Sequence, residues 1–265
     1  MNKVFVILFV IMFACIGCEW QLRSGLDDEA PVAVEVERYD RMEAFFLTTG
    51  DYSSMQQMQT HYPVQTRLLI ENVLQLGKVD AANINTRFYH FFQDSTLQEI
   101  IEEVGRQYGN MDDINGQLSD AFVTLQQMIP DLTIPMIYTQ IGSLDQSLVV
   151  SDSILGISLD KYLGEDFEPY HRFGYTERQR SMMMRSYIVP DCLGFYLLSL
   201  YPFPGGELAT QEQRDEHMGH IQFVVNRAMH YKMFENKWVE QTEHLMAISD
   251  TLTYKALLQG TTFSF

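Results

Sequence analysis

Thirteen apolar residues, Val4 to Ile16, follow the single basic residue Lys3 and end on Gly17-Cys18. A short basic stretch, an apolar run and a small residue at the cut make up an export signal. A cysteine directly after that cut is the acceptor of a lipoprotein signal. The run is shorter than the roughly 18 residues needed to cross a hydrocarbon core. Cleavage after Ala14, which would lipidate Cys15, is the alternative. This signal constrains the fold because it consumes cysteines. Of the three in the chain, Cys15 leaves with the signal and Cys18 is acylated, so Cys192 stands alone. No disulfide can then staple the mature domain, and its stability must come from a hydrophobic core.

The expected organisation has three parts. Residues 1–17 are the signal, residues 18–31 are the lipidated cysteine and a tether, and residues 32–265 are one globular domain. The tether carries Arg23-Ser24-Gly25 and Asp27-Asp28-Glu29, which offer nothing to a core. The formal net charge is -17, and loss of Lys3 with the signal leaves 17 basic against 35 acidic residues, or -18. Such a polyanion repels nucleic acid and anionic headgroups. The expected partners are the membrane, through N-terminal acyl chains, and other envelope proteins, with no nucleic acid.

Helical spacing dominates the chain. Pro63 opens and Gly77 closes one stretch. Ser95 with Gln98 reads as a capping box ahead of Leu97, Ile100, Ile101 and Val104. Asp112 to Ile129 is helical up to Pro130. Thr176 with Gln179 and Thr210 with Gln213 are further capping boxes, and Pro190 is expected to break the helix after Thr176. Later helices are placed at Met233 to Ile248 and Thr251 to Gln259. Val32 to Val36 favours a short strand. Ile134 to Ile141, Ser147 to Ser151 and Ile154 to Leu159 are β-branched and separated by turn residues, and read as adjacent antiparallel strands. The fold class is α+β: a mostly α-helical single domain with a small antiparallel sheet.

Three segments resemble the gliding-motility lipoprotein (GldB) family: Ile141-Gly142-Ser143-Leu144-Asp145 with the residues to Val150, Ile157 to Phe167 with its Leu-Asp-Lys-Tyr-Leu-Gly core, and Arg185-Ser186-Tyr187-Ile188-Val189-Pro190-Asp191. Arg38-Tyr39-Asp40 is similar to that family's opening. The resemblance implies a cell-envelope lipoprotein, anchored at the outer membrane, in bacteria that glide or carry the associated secretion apparatus. It marks Asp160, Tyr162, Gly164, Glu165, Asp166, Tyr187, Pro190 and Asp191 as candidate partner-binding residues. It implies no cofactor and no catalytic residue. The family is also distantly similar to zinc-dependent proteases with a His-Glu-x-x-His helix, so a degenerate zincin-like fold and a reassigned metallohydrolase form the alternative reading. That motif pairs two imidazoles one turn apart with a Glu that activates the metal-bound water, and it is absent here.

Other constellations weigh less. His217 and His220, three apart in Glu216-His217-Met218-Gly219-His220, are weak candidate metal ligands against a polar helix face. Asp145, Asp152, Asp160, Glu165 and Asp166 crowd the strand region without the rhythm of a calcium loop, and turns and caps use the same residues. Cys192 sits beside apolar Leu193 and Phe195 and reads as a buried, inert thiol. Met182-Met183-Met184 reads as core filler.

Overall fold

The structure, a computed structural model, describes residues 33–151 and 153–260; the signal, Cys18 and the tether lie outside the described residues. Helices are α1 (Tyr39–Thr49), α2 (Tyr52–His61), α3 (Pro63–Arg67), α4 (Ile84–Phe91), α5 (Ser95–Gln107) and α6 (Asp112–Met128). Three strands follow, β1 (Met136–Gln140), β2 (Leu148–Ser151) and β3 (Ile154–Ser158). Then come α7 (Glu168–Arg172), α8 (Glu177–Arg180), α9 (Ile188–Leu200), α10 (Gln211–Ala228), α11 (Lys237–Ile248) and α12 (Tyr254–Leu258). This is the expected α+β domain.

The helices form where their apolar residues share a face. In α5, Leu97, Ile100, Ile101 and Val104 are buried, the i, i+3, i+4, i+7 pattern of a helix against a core. Its cap differs from expectation by one residue. Asp94 accepts from the Thr96 and Leu97 amides, and Gln98 reaches instead to the Phe92 and Leu47 carbonyls. The boxes at Thr176 and Thr210 form as read. Pro63 starts α3, which runs on as a π-helix from Leu68 to Val73. Pro190 does not break a helix. It lies in the first turn of α9, where its missing N–H has no partner to lose. Helices α11 and α12 begin later than expected, at Lys237 and Tyr254, after Asn236 and Thr253 as side-chain caps.

The sheet has the order β1-β3-β2. β2 and β3 are antiparallel, with Val149 opposite Gly156, as expected for two strands joined by a tight turn. β1 and β3 are parallel, from Met136 opposite Ile154 to Gln140 opposite Ser158, and this corrects the all-antiparallel expectation. The physical reason is the connection: residues 141–147 let the chain leave β1, place β2 on the far edge and return β3 to the centre. β1 and β3 are buried almost along their length, as parallel neighbours covered on both faces should be. Of the strand expected at Val32–Val36, Val32 lies outside the described residues and residues 33–36 form no strand; Glu37, just after them, makes a single bridge to Tyr138 on β1. One hydrophobic cluster joins the helices and the sheet, with α1 against β1 and α9 against β2 and β3.

α10 and α11 approach so closely that a Cβ on Gly219 would lie 2.4 Å from the Trp238 Cβ and 3.0 Å from its backbone carbonyl carbon. The neighbour is main chain and has no rotamer to yield. Gly219→Ala should therefore cost about 1–3 kcal/mol, read as a lowered midpoint in thermal denaturation followed by circular dichroism. An unchanged midpoint would show that α11 is not seated on α10 in this way.

Candidate functional site

The chain turns sharply after β3 in a single 3-10 turn, Leu159–Lys161, and this turn is held from several directions. Asp160 is fully buried and its two oxygens accept from the Gly142 amide (2.7 Å) and the Leu144 amide (2.5 Å). Those amides follow β1, so one carboxylate ties the end of β1 to the end of β3. Burial raises the Asp160 carboxyl above its usual range and the amide hydrogen bonds oppose that rise. The Tyr170 hydroxyl donates to the Asp160 carbonyl and accepts from the Leu163 amide. The Tyr108 hydroxyl donates to the Tyr162 carbonyl. Gly164 closes the segment at a φ of 107°, a left-handed backbone that an L side chain resists, and its amide bonds to the Met183 carbonyl.

Two side chains from this turn face a cavity of about 290 Å³ lined by Ser147, Lys161, Tyr162, Tyr175, Asp191 and Met182 among others. The Lys161 ammonium donates to the Tyr175 hydroxyl (2.9 Å) and the Leu144 carbonyl (3.3 Å) and sits 4.5 Å from the Tyr175 ring centre. The Tyr162 hydroxyl donates to Asp191 Oδ2 at 2.9 Å. Asp191 comes from the first turn of α9. Burial pushes its carboxyl up to about 6, with the Tyr162 hydrogen bond working the other way.

The candidate partner-binding residues separate by depth. Asp160, Tyr162 and Pro190 are buried, so their side chains are not on the surface. Tyr187 and Asp191 are half-buried. Glu165 and Asp166 are exposed beside the half-buried Gly164. With Glu99, Glu102 and Glu168 they line an open groove of about 730 Å³ against α5. In the methionine run Met183 is core, whereas Met182 and Met184 are exposed, so only one of three behaves as filler. Cys192 is buried and unpaired, and burial raises its thiol well above the usual range.

His217 and His220 do share a face of α10, with ring centres 6.4 Å apart. His217 Nε2 lies 2.7 Å from the Tyr201 carbonyl, so that nitrogen is a donor and is not available to a metal. Burial lowers both imidazoles, His220 to about 4 with His217 adding to the effect. Among the described residues no group of three His, Cys, Asp or Glu side chains is placed to hold a metal ion, so the pair lacks the third ligand a zinc site requires.

Sequence reading did not single out Glu43. It is fully buried on α1, and its Oε2 accepts from the Ile141 amide at 2.9 Å. Burial raises its carboxyl well above the ordinary range, and the charges of Asp160 and Asp40 push the same way. The available signal was its spacing from Tyr39 and Leu47, both on the apolar face of α1. Tyr175 carries no comparable signal.

A folded-state carboxyl at about 6 against 3.8 favours the protonated form. The stability it gives is complete below pH 3.8 and is lost as pH rises through 6, amounting to about 3 kcal/mol at most. Asp191→Asn should therefore gain on the native protein between about pH 4 and pH 6. At pH 8 it should equal or exceed native stability. Chemical denaturation across pH reads this difference. A variant less stable than the native protein by a constant amount at every pH would show that Asp191 does not titrate in the fold.

The described helices include none long and apolar enough to cross a membrane. No curated protein and no solved structure matches the chain. A family model described as Gliding motility protein GldB matches residues 22–213, most of the chain, including the β1–β3 sheet, the Asp160 turn and α9. The chain belongs to the GldB family of gliding-motility lipoproteins.

Proposed function

We propose that this protein is a non-catalytic binding or assembly component of a cell-envelope complex, held at the outer membrane by acyl chains on Cys18. The observation that carries the reading is the Gly164–Asp166 segment: Glu165 and Asp166 are exposed at the rim of the acidic groove, yet the segment is fixed from below. The Gly164 amide bonds to Met183, the Leu163 carbonyl accepts from Gln107, and Tyr170 and Tyr108 hold the residues before it. A surface segment pre-set by buried hydrogen bonds loses little conformational entropy when a partner docks. Glu165 and Asp166 are the contact residues of this proposal, with the half-buried Tyr187 as a further one. Asp160 and Tyr162 anchor the chain just before that segment, Pro190 is buried in the first turn of α9, and Asp191 lines the cavity. Acylation of Cys18 supplies the attachment, since each buried methylene contributes about 0.8 kcal/mol and a polyanion gains nothing from anionic headgroups.

Two measurements test this. Cys18→Ala should move the protein from the membrane to the soluble fraction or leave it as an unprocessed precursor, with loss of lipid labelling; unchanged labelling and fractionation would refute the anchor. Glu165→Lys with Asp166→Lys should abolish recovery of crosslinked envelope partners from native membranes while leaving the thermal midpoint within about 1–2 °C, because exposed substitutions away from caps and cores alter stability by about 0.5 kcal/mol or less. Undiminished crosslinking, or stoichiometric zinc in the purified protein, would overturn the reading.

A further inference from the structure

The cavity beside the Asp160 turn holds two charges that the protein leaves incompletely matched. Lys161 is 8 % exposed. Two hydrogen bonds go to neutral oxygens, on Leu144 and Tyr175, and the Tyr175 hydroxyl spends its own proton on Leu144. The neighbouring Asp160 carboxylate is already occupied by two backbone amides. Lys161 therefore makes no ion pair among the described residues, and one of its three N–H donors has no acceptor there. The Tyr175 ring and the nearby Asp160 charge offset part of its burial, but a buried charge with no ion pair is costly. On the same cavity Asp191 receives a single hydrogen bond, from Tyr162 to Oδ2, and Oδ1 receives none from the described residues. Met182, Met183 and Phe195 complete the wall with apolar surface.

We propose that this cavity binds a small zwitterion of the α-amino-acid class with an apolar side chain, its carboxylate on Lys161 and its ammonium on Asp191. A simple carboxylate would leave Asp191 unmatched, and a simple amine would leave Lys161 unmatched. Only a ligand carrying both charges satisfies both ends, and the methionine and phenylalanine wall accepts the apolar side chain. A volume of about 290 Å³ stands at the lower limit of roughly 300–1,000 Å³ for small-molecule sites, which fits one amino acid or a short dipeptide and excludes a larger peptide. Burial of Asp191 supports the assignment, since a carboxylate held in a desolvated site at pH 7.5 is stabilised by an incoming ammonium. This site is separate from the acidic groove proposed for partner docking.

Calorimetric titration of the full-length protein in detergent, at pH 7.5, tests the proposal with L-methionine, L-leucine and the dipeptide Leu-Leu as probes. N-acetyl-L-methionine lacks the ammonium and L-methionine methyl ester lacks the carboxylate. Saturable binding of the amino acids or of the dipeptide is expected, with each masked analogue weaker by at least about tenfold; tighter binding of the amino acids assigns the free monomer, and tighter binding of the dipeptide assigns short peptides. Lys161→Met and Asp191→Asn should abolish it. Because Lys161 also braces Leu144, Met182→Trp provides the second variant: it fills the cavity mouth from an exposed position and should remove binding with the thermal midpoint unchanged. No heat with any probe at about 10 mM, equal binding of a masked analogue, or undiminished binding by Met182→Trp would overturn the assignment.

Discussion

Three carboxylates from two distant parts of the sequence converge on the end of β1. Asp40 accepts from the Thr139 hydroxyl, Glu43 from the Ile141 amide, and Asp160 from the Gly142 and Leu144 amides. Buried backbone amides that leave a strand need acceptors, and here side chains supply them where the ladder stops. Each carboxylate loses solvation, and Glu43 and Asp160 have their carboxyls raised in consequence. In return, α1, β1 and the turn after β3 are locked to one another. Asp40 is the least exposed to this cost, because Arg38 pairs with it through two nitrogens at 2.8 Å.

The cavity and the groove both follow from that lock. With Asp160 turned inward, the next two residues project Lys161 and Tyr162 to the same cavity, and two residues further the chain reaches the surface at Gly164. Glu165 and Asp166 then lie against α5 and its carboxylates. The turn anchored by this one buried side chain therefore leads into both a half-open cavity and an exposed acidic rim. The family match covers both.

The helices were legible because burial follows their spacing, as in α5 and α6. Two capping boxes formed as read, since a cap is a local contact over three residues. Parallel pairing of β1 with β3 was not legible: the pattern in each strand is the same whichever way its neighbour runs, and only the path of residues 141–147 decides it. The depth of Asp160 was hidden for a different reason. In a chain with 35 acidic residues, composition assigns every carboxylate to solvent, and the two amides that hold this one lie sixteen and eighteen residues away. Pro190 was misread because position within a helix, not proline itself, decides whether a turn is broken. The Asp160–Asp166 segment was found through resemblance, and its division into core and surface required coordinates.

Two groups on the neighbouring helices α9 and α10 have mirrored protonation. Asp191 is raised from 3.8 to about 6 and His220 lowered from 6.5 to about 4, burial being the main cause of each. The first favours the folded state at low pH and loses that contribution as pH rises through 6. The second favours it above 6.5 and loses its contribution as pH falls toward 4. Their windows overlap and their shifts are similar in size, so between about pH 4 and pH 6 the two slopes nearly cancel. The exposed ion pairs, such as Lys232 with Glu243 and Lys255 with Asp131, change that balance little, because solvent and salt screen them. Asp191 and His220 thus oppose each other through mild acidity, and removing either group exposes the slope of the other; the raised carboxyls of Glu43 and Asp160 act in the same sense as Asp191, and the lowered imidazole of His217 in the same sense as His220.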